Sequence, residues 1–465
     1  MNSSILRKAG LGIVLMTGVP LWSQANGAPD TTAAPPAADT ATAQTTDTTP
    51  APAVVEDRMQ TPPPVSGAAY PTAYTSEQRS NYLRGGLTFT TAYSDNVLGG
   101  ITANPVSDVS FSIFPNIVLD RTTSRLHWVL TYAPGYTFYQ RFSSRNQENQ
   151  NVSIDFKYRL SPHVTLSLRD SFQKSSNVLD QPGLPSANPV TGGIQGIGIA
   201  VIAPLADQLN NNGNAEITYQ FGANGMIGAS GTFTNLHYPE GQVPGLFDSS
   251  SQAGSAFYSH RLSKKHYIGA SYQYQRIVAY PVGAQSVTQT QTVLAFYTFY
   301  PQPKLSLSVS AGPQHSDVDQ SPQPSVQQWS PAVTASIGWQ ASHTNVAASY
   351  SRTVSGGGGL LGAFHSNTAN LSLRQQLSRN WNAQVVGAYS INKTVTPLFF
   401  LSNPGGHAVS GSASIQRKLG QHFNAEAGYT RLHQSYGDIA AISTAPDTNR
   451  EWLSISYQFA RPLGR

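Results

Sequence analysis

Polar and apolar residues alternate one by one over most of this chain, and four times the alternation halts at a Leu, turns within three or four residues and resumes. The four segments are RLSPHVTLSL (159–168), RLSKKHYIGA (261–270), QLSRNWNAQV (376–385) and KLGQHFNAEA (418–427). A period of two is the spacing of a β-strand, whose successive side chains face opposite ways. A short polar turn between two such runs is a hairpin. On the far side of each hairpin the connection is usually longer and richer in Gly, Pro, Asn and Ser. Strands of about 9–14 residues with short turns at one end and long loops at the other match a transmembrane β-barrel.

Composition narrows the alternatives. Charged residues are 11% of the 465 and hydrophobic ones 39%, against about 25% charge in an average soluble domain. No window holds the 18 or so uncharged apolar residues that a spanning helix requires, so any crossing is by strands. The N-terminus reads as an export signal over residues 1–25, with Arg7 and Lys8 as its basic region, Ala9 to Trp22 as its apolar region and Ser23-Gln24-Ala25 as the cleavage site. Residues 26–80 are rich in Ala, Thr and Pro and have too few large apolar residues to build a core, which predicts a disordered periplasmic linker. The barrel is expected over 81–465. That region carries 24 basic against 17 acidic side chains, a bias too thinly spread, and too poor in interleaved aromatics, to suggest nucleic acid. The absence of Cys suits passage through an oxidising periplasm.

On a lipid-facing series every second residue is apolar while the intervening series stays polar. Residues 151–160 do this cleanly: Val152, Ile154, Phe156, Tyr158 and Leu160 alternate with Asn151, Ser153, Asp155, Lys157 and Arg159. The same pattern recurs in Leu126, Trp128, Leu130 and Tyr132, in Ile268, Ala270, Tyr272 and Tyr274, and in Trp381, Ala383, Val385 and Tyr389. Paced out this way the chain holds about 18 strands, with 16 as the alternative. They run from 82–94 to 449–460 and include 151–160, 214–222 and 423–436. Short turns then alternate strictly with longer loops, and both ends of the barrel fall on the short-turn side, the periplasmic side in bacterial barrels. The fold class expected is all-β, a transmembrane antiparallel up-and-down barrel with a disordered N-terminal extension.

The last strand, REWLSISYQFARPLGR, places Leu453, Ile455, Tyr457 and Phe459 on one face and Ser454, Ser456 and Gln458 on the other. It resembles the terminal strand of bacterial outer-membrane β-barrel proteins, and the chain looks most like the porin-like barrels of Gram-negative bacteria, some of which accompany exopolysaccharide systems. The resemblance covers residues 82–465 as architecture. It implies an outer-membrane location, contact with outer-membrane lipid and with the barrel-assembly machinery, and an assembly signal at Phe459. Here Phe459 is followed by six residues, Ala460 to Arg465, which departs from a strictly terminal aromatic.

Chemistry is sparse. His163, His266, His343 and His422 recur at the ends of short turns, as polar residues at a membrane edge would, and the chain lacks the Cys and closely spaced His pairs of a zinc site. His315 with Asp317 and Asp319 is the one cation candidate, and Ser435 with His433 and Asp438 the one nucleophile-like grouping. No nucleophile elbow, phosphate loop or dinucleotide fingerprint is present, so neither an enzyme nor a cofactor is expected. By parity Asp155, Lys157, Arg159, Arg169, Glu216, Arg374 and Glu426 project inward, a mixed set with a slight basic bias. A loop over 178–212 contains GGIQGIGIAVIAP (192–204), too apolar to lie free in water; constriction of the pore is the reading favoured, with a cover over the mouth and contact with a neighbouring subunit as the alternatives. Barrels of 16–18 strands are wide enough for an aqueous channel, so the function expected is passive passage of small polar solutes. A plugged barrel with a structural or assembly role, associated with polysaccharide export, is the alternative; the sequence leaves the oligomeric state undefined.

Overall fold

The computed structural model describes residues 59–66, 81–97, 104–175, 207–239, 246–281, 285–320, 324–357, 361–395, 405–437 and 447–463. Eighteen strands follow one another: β1 Asn81–Ser94, β2 Asp108–Thr122, β3 Leu126–Tyr139, β4 Gln147–Arg159, β5 Val164–Ser175 and β6 Gln208–Phe221. Then come β7 Gly225–His237, β8 Ser249–Ser263, β9 His266–Ala279, β10 Ser286–Gln302, β11 Leu305–Gln320 and β12 Val326–Gln340. The last six are β13 Thr344–Gly357, β14 Leu361–Gln376, β15 Trp381–Thr394, β16 Gly406–Lys418, β17 Phe423–Tyr436 and β18 Asp447–Pro462. Every strand pairs antiparallel with its sequence neighbours, and β18 pairs with β1 from Tyr82↔Pro462 to Ser94↔Arg450. The sheet is a closed up-and-down barrel, so no edge is left to be satisfied in lipid.

The turns at one end, such as Leu160 to His163 and Lys264 to Lys265, take two to four residues. Gly222 (φ 63°) and Gly420 (φ 101°) supply the left-handed backbone that two of these turns need. Arg261 ties one of them down: its Nε donates to Asn224 Oδ1 at 3.1 Å and its terminal nitrogen to the Ala223 carbonyl at 2.7 Å.

The two series along each strand differ as the alternation predicts. Outer-series residues such as Ile217, Ile268, Val293, Val385, Val409 and Leu453 are exposed, 44–55% for all but Val409 at 41%. Inner-series residues are mostly hydroxyl and amide side chains, several of which pair across neighbouring strands, as Ser112 with Thr137 (2.9 Å), Ser230 with Ser255 (2.7 Å) and Thr298 with Ser308 (2.8 Å). Outer aromatics form two tiers. Trp381, Phe423 and Tyr457 lie near the short turns, and Tyr389, Tyr429 and Tyr93 lie towards the long loops. Eight residues separate Trp381 from Tyr389, about 26 Å along the strand and about 20 Å along the barrel axis at the usual tilt. That is close to the height of about 25 Å of a lipid-facing band between two interfacial girdles.

Strands on the long-loop side run further than the alternation suggests. β4 starts at Gln147 and β6 at Gln208, where 151 and 214 were expected. The added outer-series residues are Glu148, Gln150, Leu209, Asn211 and Gly213. Backbone pairing continues past the lipid while the outer series, Leu209 apart, is no longer apolar.

Candidate functional site

Charged inner-series side chains gather on the wall made by β4, β5 and β6. Asp155 and Arg169 are directly opposed, and the Arg169 Nε donates to Asp155 Oδ2 at 2.8 Å with side chains 53% and 38% exposed. One rung nearer the short turns Lys157, Ser167 and Glu216 are successive partners across the three strands, and Glu216 lies in the field of both Arg169 and Lys157. Arg159 follows in the same series, opposite Thr165. A second group lies on β14 to β17. Glu426 accepts a hydrogen bond from the Ser414 hydroxyl and sits in the field of Arg374. Around the ring of 18 these two groups are separated by five strands on one side, β17 to β4, and by eight on the other, β6 to β14. All seven lie in the short-turn half of the barrel.

Parity alone did not single out a third group at the short-turn mouth, on β1 to β3. There the Arg84 guanidinium stands 3.7 Å from Asp120, and His127 Nε2 stands 3.5 Å from the other carboxylate oxygen. The alternation of 82–94 carried the signal for Arg84, and that of Leu126, Trp128, Leu130 and Tyr132 the signal for His127, whereas Asp120 sits beside the turn, where the apolar series gives way to Arg121.

A piece of the chain expected to be linker lies along one side of the short-turn mouth. Residues 59–66, MQTPPPVS, lie inside the barrel, against inner-series residues of β7 to β10. Met59 packs with Met226, Phe257, Tyr267 and Tyr300, and Val65 lies against that cluster. The Met59 N–H donates to Gln220 Oε1 at 3.2 Å, and the Thr61 hydroxyl approaches Met226 Sδ at 3.8 Å. Pro63–Ser66 form a single helical turn that touches β11. The segment thus reaches from the end of β6 to β11. Sequence reasoning missed this docking because a Pro-rich run without alternation has no strand or helix signal.

At the opposite mouth Ile277 of β9 is buried with Val354 of β13 and Ala363 of β14, with Val395 against them. β9 and β14 are five strands apart in the sheet, about 24 Å around the wall at a spacing of about 4.8 Å per strand. Contact between them means that the long-side ends of β13 and β14 lean across the opening. The apolar loop segment 192–204 lies outside the described residues, as does Asp438 of the Ser435 grouping. His315 and Asp317 fall on the outer series, His315 beside the Trp329 ring (4.8 Å), and no cluster of three or more metal-ligating side chains occurs among the described residues. The turn histidines serve the membrane edge. His266 stacks on Phe299 and bonds the Tyr297 hydroxyl at 2.6 Å, and His422 contacts the Gln458 carbonyl at 2.9 Å. Phe459 belongs to the outer series of β18, its ring 6.5 Å from that of Tyr457.

No protein-family model matches the chain, and no curated protein matches it. Among solved structures it is similar to OpdK of Pseudomonas aeruginosa crystallised with vanillate (9% identity, 82% of this chain and 99% of that one, TM-score 0.39). It is also similar to OccK2 (OpdF) of Pseudomonas aeruginosa (10% identity, 82% and 98%, TM-score 0.41), and to the same protein in complex with glucuronate (9% identity, 81% and 98%, TM-score 0.39). All three are distant likenesses.

Proposed function

We propose that the barrel is a passive outer-membrane channel for small polar solutes, seated in outer-membrane lipid by the barrel-assembly machinery with its short turns and both barrel ends in the periplasm. The observation that carries this reading is the state of the β4–β6 wall. Arg169 and Asp155 sit mid-wall on the inner series, yet their side chains are 53% and 38% exposed. Ion pairs that far open to solvent belong to a hydrated passage; a closed network would bury them. Passage is by size and by the field of Asp155, Lys157, Arg159, Arg169, Glu216, Arg374 and Glu426, with no chemical step. The slight excess of bases over acids in this set gives a weak preference for anions.

Purified protein in planar bilayers tests this. Discrete conductance steps with a small anion preference that fades at high salt are the expected result. Insertion without conductance, by the full chain and by a chain lacking residues 59–66, would sink the channel and favour the plugged structural barrel.

A further inference from the structure

The segment Met59–Ser66 has a chemistry suited to being docked and released, and not to being built into the wall. Its central residues Pro62, Pro63 and Pro64 have no N–H to give to a β-ladder. It therefore cannot add itself to the sheet as another strand. Proline also holds the backbone stiff before docking, so less chain freedom is lost when the segment settles. What fastens it includes apolar contact of Met59 and Val65 with the ledge of Met226, Phe257, Tyr267 and Tyr300, the burial of Pro62 and Pro63, one N–H to Gln220 and one hydroxyl–sulfur approach. Within the ledge Tyr267 and Tyr300 meet edge to face at 5.4 Å.

Its place matters as much as its hold. Gln220, which takes the Met59 N–H, lies on β6 four residues from Glu216 and on the same inner series. The segment therefore sits on the periplasmic side of the charged wall. Four of its eight residues are wound into the helical turn, so the segment spans about 20 Å between its contacts on β6 and β11. Beyond Arg169 and Glu216 the strap takes up room along the β6–β11 side of the mouth.

We propose that residues 59–66 are a releasable strap that narrows the periplasmic mouth of the channel, and that undocking them is the channel's gate. This rests on the channel reading above. Because the chain has no Cys, the strap can be locked cleanly. Full-length protein carrying Thr61→Cys with Met226→Cys is joined by a short methanethiosulfonate cross-linker and recorded in planar bilayers before and after reduction with dithiothreitol. A second full-length variant has residues 59–66 replaced by an equal length of Gly and Ser. The locked form should show the lowest conductance, and reduction should restore the behaviour of the unlinked protein. The replaced strap should raise conductance by roughly two-fold or more over the locked form. Equal, non-zero conductance in locked, reduced and replaced forms would leave the channel standing and overturn the strap as its gate. Silence in all of them would overturn the channel, and the gate with it.

Discussion

Across the seam where the first and last strands close the barrel, the ring of Phe459 covers Gly85 on the outer face. The two are direct partners in the β1–β18 ladder, and a Cβ built on Gly85 would overlap the Phe459 ring. The glycine makes the space that the aromatic fills. Gly85→Ala should therefore cost about 1–3 kcal/mol by overpacking, and Phe459→Ala should cost stability by uncovering the strand. In the double variant the clash is gone, so the combined cost should fall short of the sum by about 0.5 kcal/mol or more. Urea unfolding of the folded barrel in lipid vesicles measures this; strict additivity would mean that the ring does not rest on Gly85.

Assembly offers a separate test of Phe459. Strand β18 continues past it: Pro462 still pairs with Tyr82, and the Leu463 N–H donates to the Asn81 carbonyl at 2.7 Å. Changing Phe459 to Ser should lower the outer-membrane yield much more than removing residues 462–465, which loses one rung of the ladder. A greater loss from the truncation would assign the signal to the extension.

Inside and outside are distinguished at the middle of the apolar band. Val385 is on the outer series midway between Trp381 and Tyr389, 44% exposed. Val385→Arg should cost about 2–4 kcal/mol, the penalty for a cation at the bilayer midplane. Ser412, on the inner series of β16 and bonded by Thr430 at 3.4 Å, should accept Arg with far less loss of heat-modifiable, folded protein. Equal tolerance of both changes would put the register out by one residue.

The Asp155–Arg169 pair should matter for selectivity and little for stability. Both side chains are well exposed, and exposed pairs are worth about 0–1 kcal/mol. Arg169→Ala should shift the reversal potential in a salt gradient towards cations, and Asp155→Asn towards anions. Both shifts should shrink near 1 M salt, where screening acts within about 3 Å. Unfolding midpoints that move strongly while the reversal potential stays fixed would make the pair a strut of the wall instead of part of a passage.

At the long-loop mouth Val354 is 1% exposed against Ile277. Val354→Asp puts a charge into that contact, beyond the apolar band. The leaning ends of β13 and β14 should lift, raising conductance while the barrel keeps its heat-modifiable mobility. Unchanged conductance with loss of the folded band would place the contact in the barrel's stability and not at its opening.

Much of this was decided locally. A lipid-facing strand needs an apolar residue at every second position, so Phe156 against Lys157 fixes the two faces, and each short turn fixes its hairpin: with Arg159 opposite Thr165, Asp155 must oppose Arg169. Strand number and turn parity follow from those local rules. Other features depend on residues far apart in the chain. Gly85 meets Phe459 only because the ring closes at a particular stagger. Ile277 meets Val354 only because two long strand ends lean over the mouth. Met59 finds Tyr267 and Tyr300 only once four strands have made an apolar ledge to receive it. Alternation records what each residue faces, lipid or lumen; it carries no term for contact across the lumen, which exists only in the closed barrel.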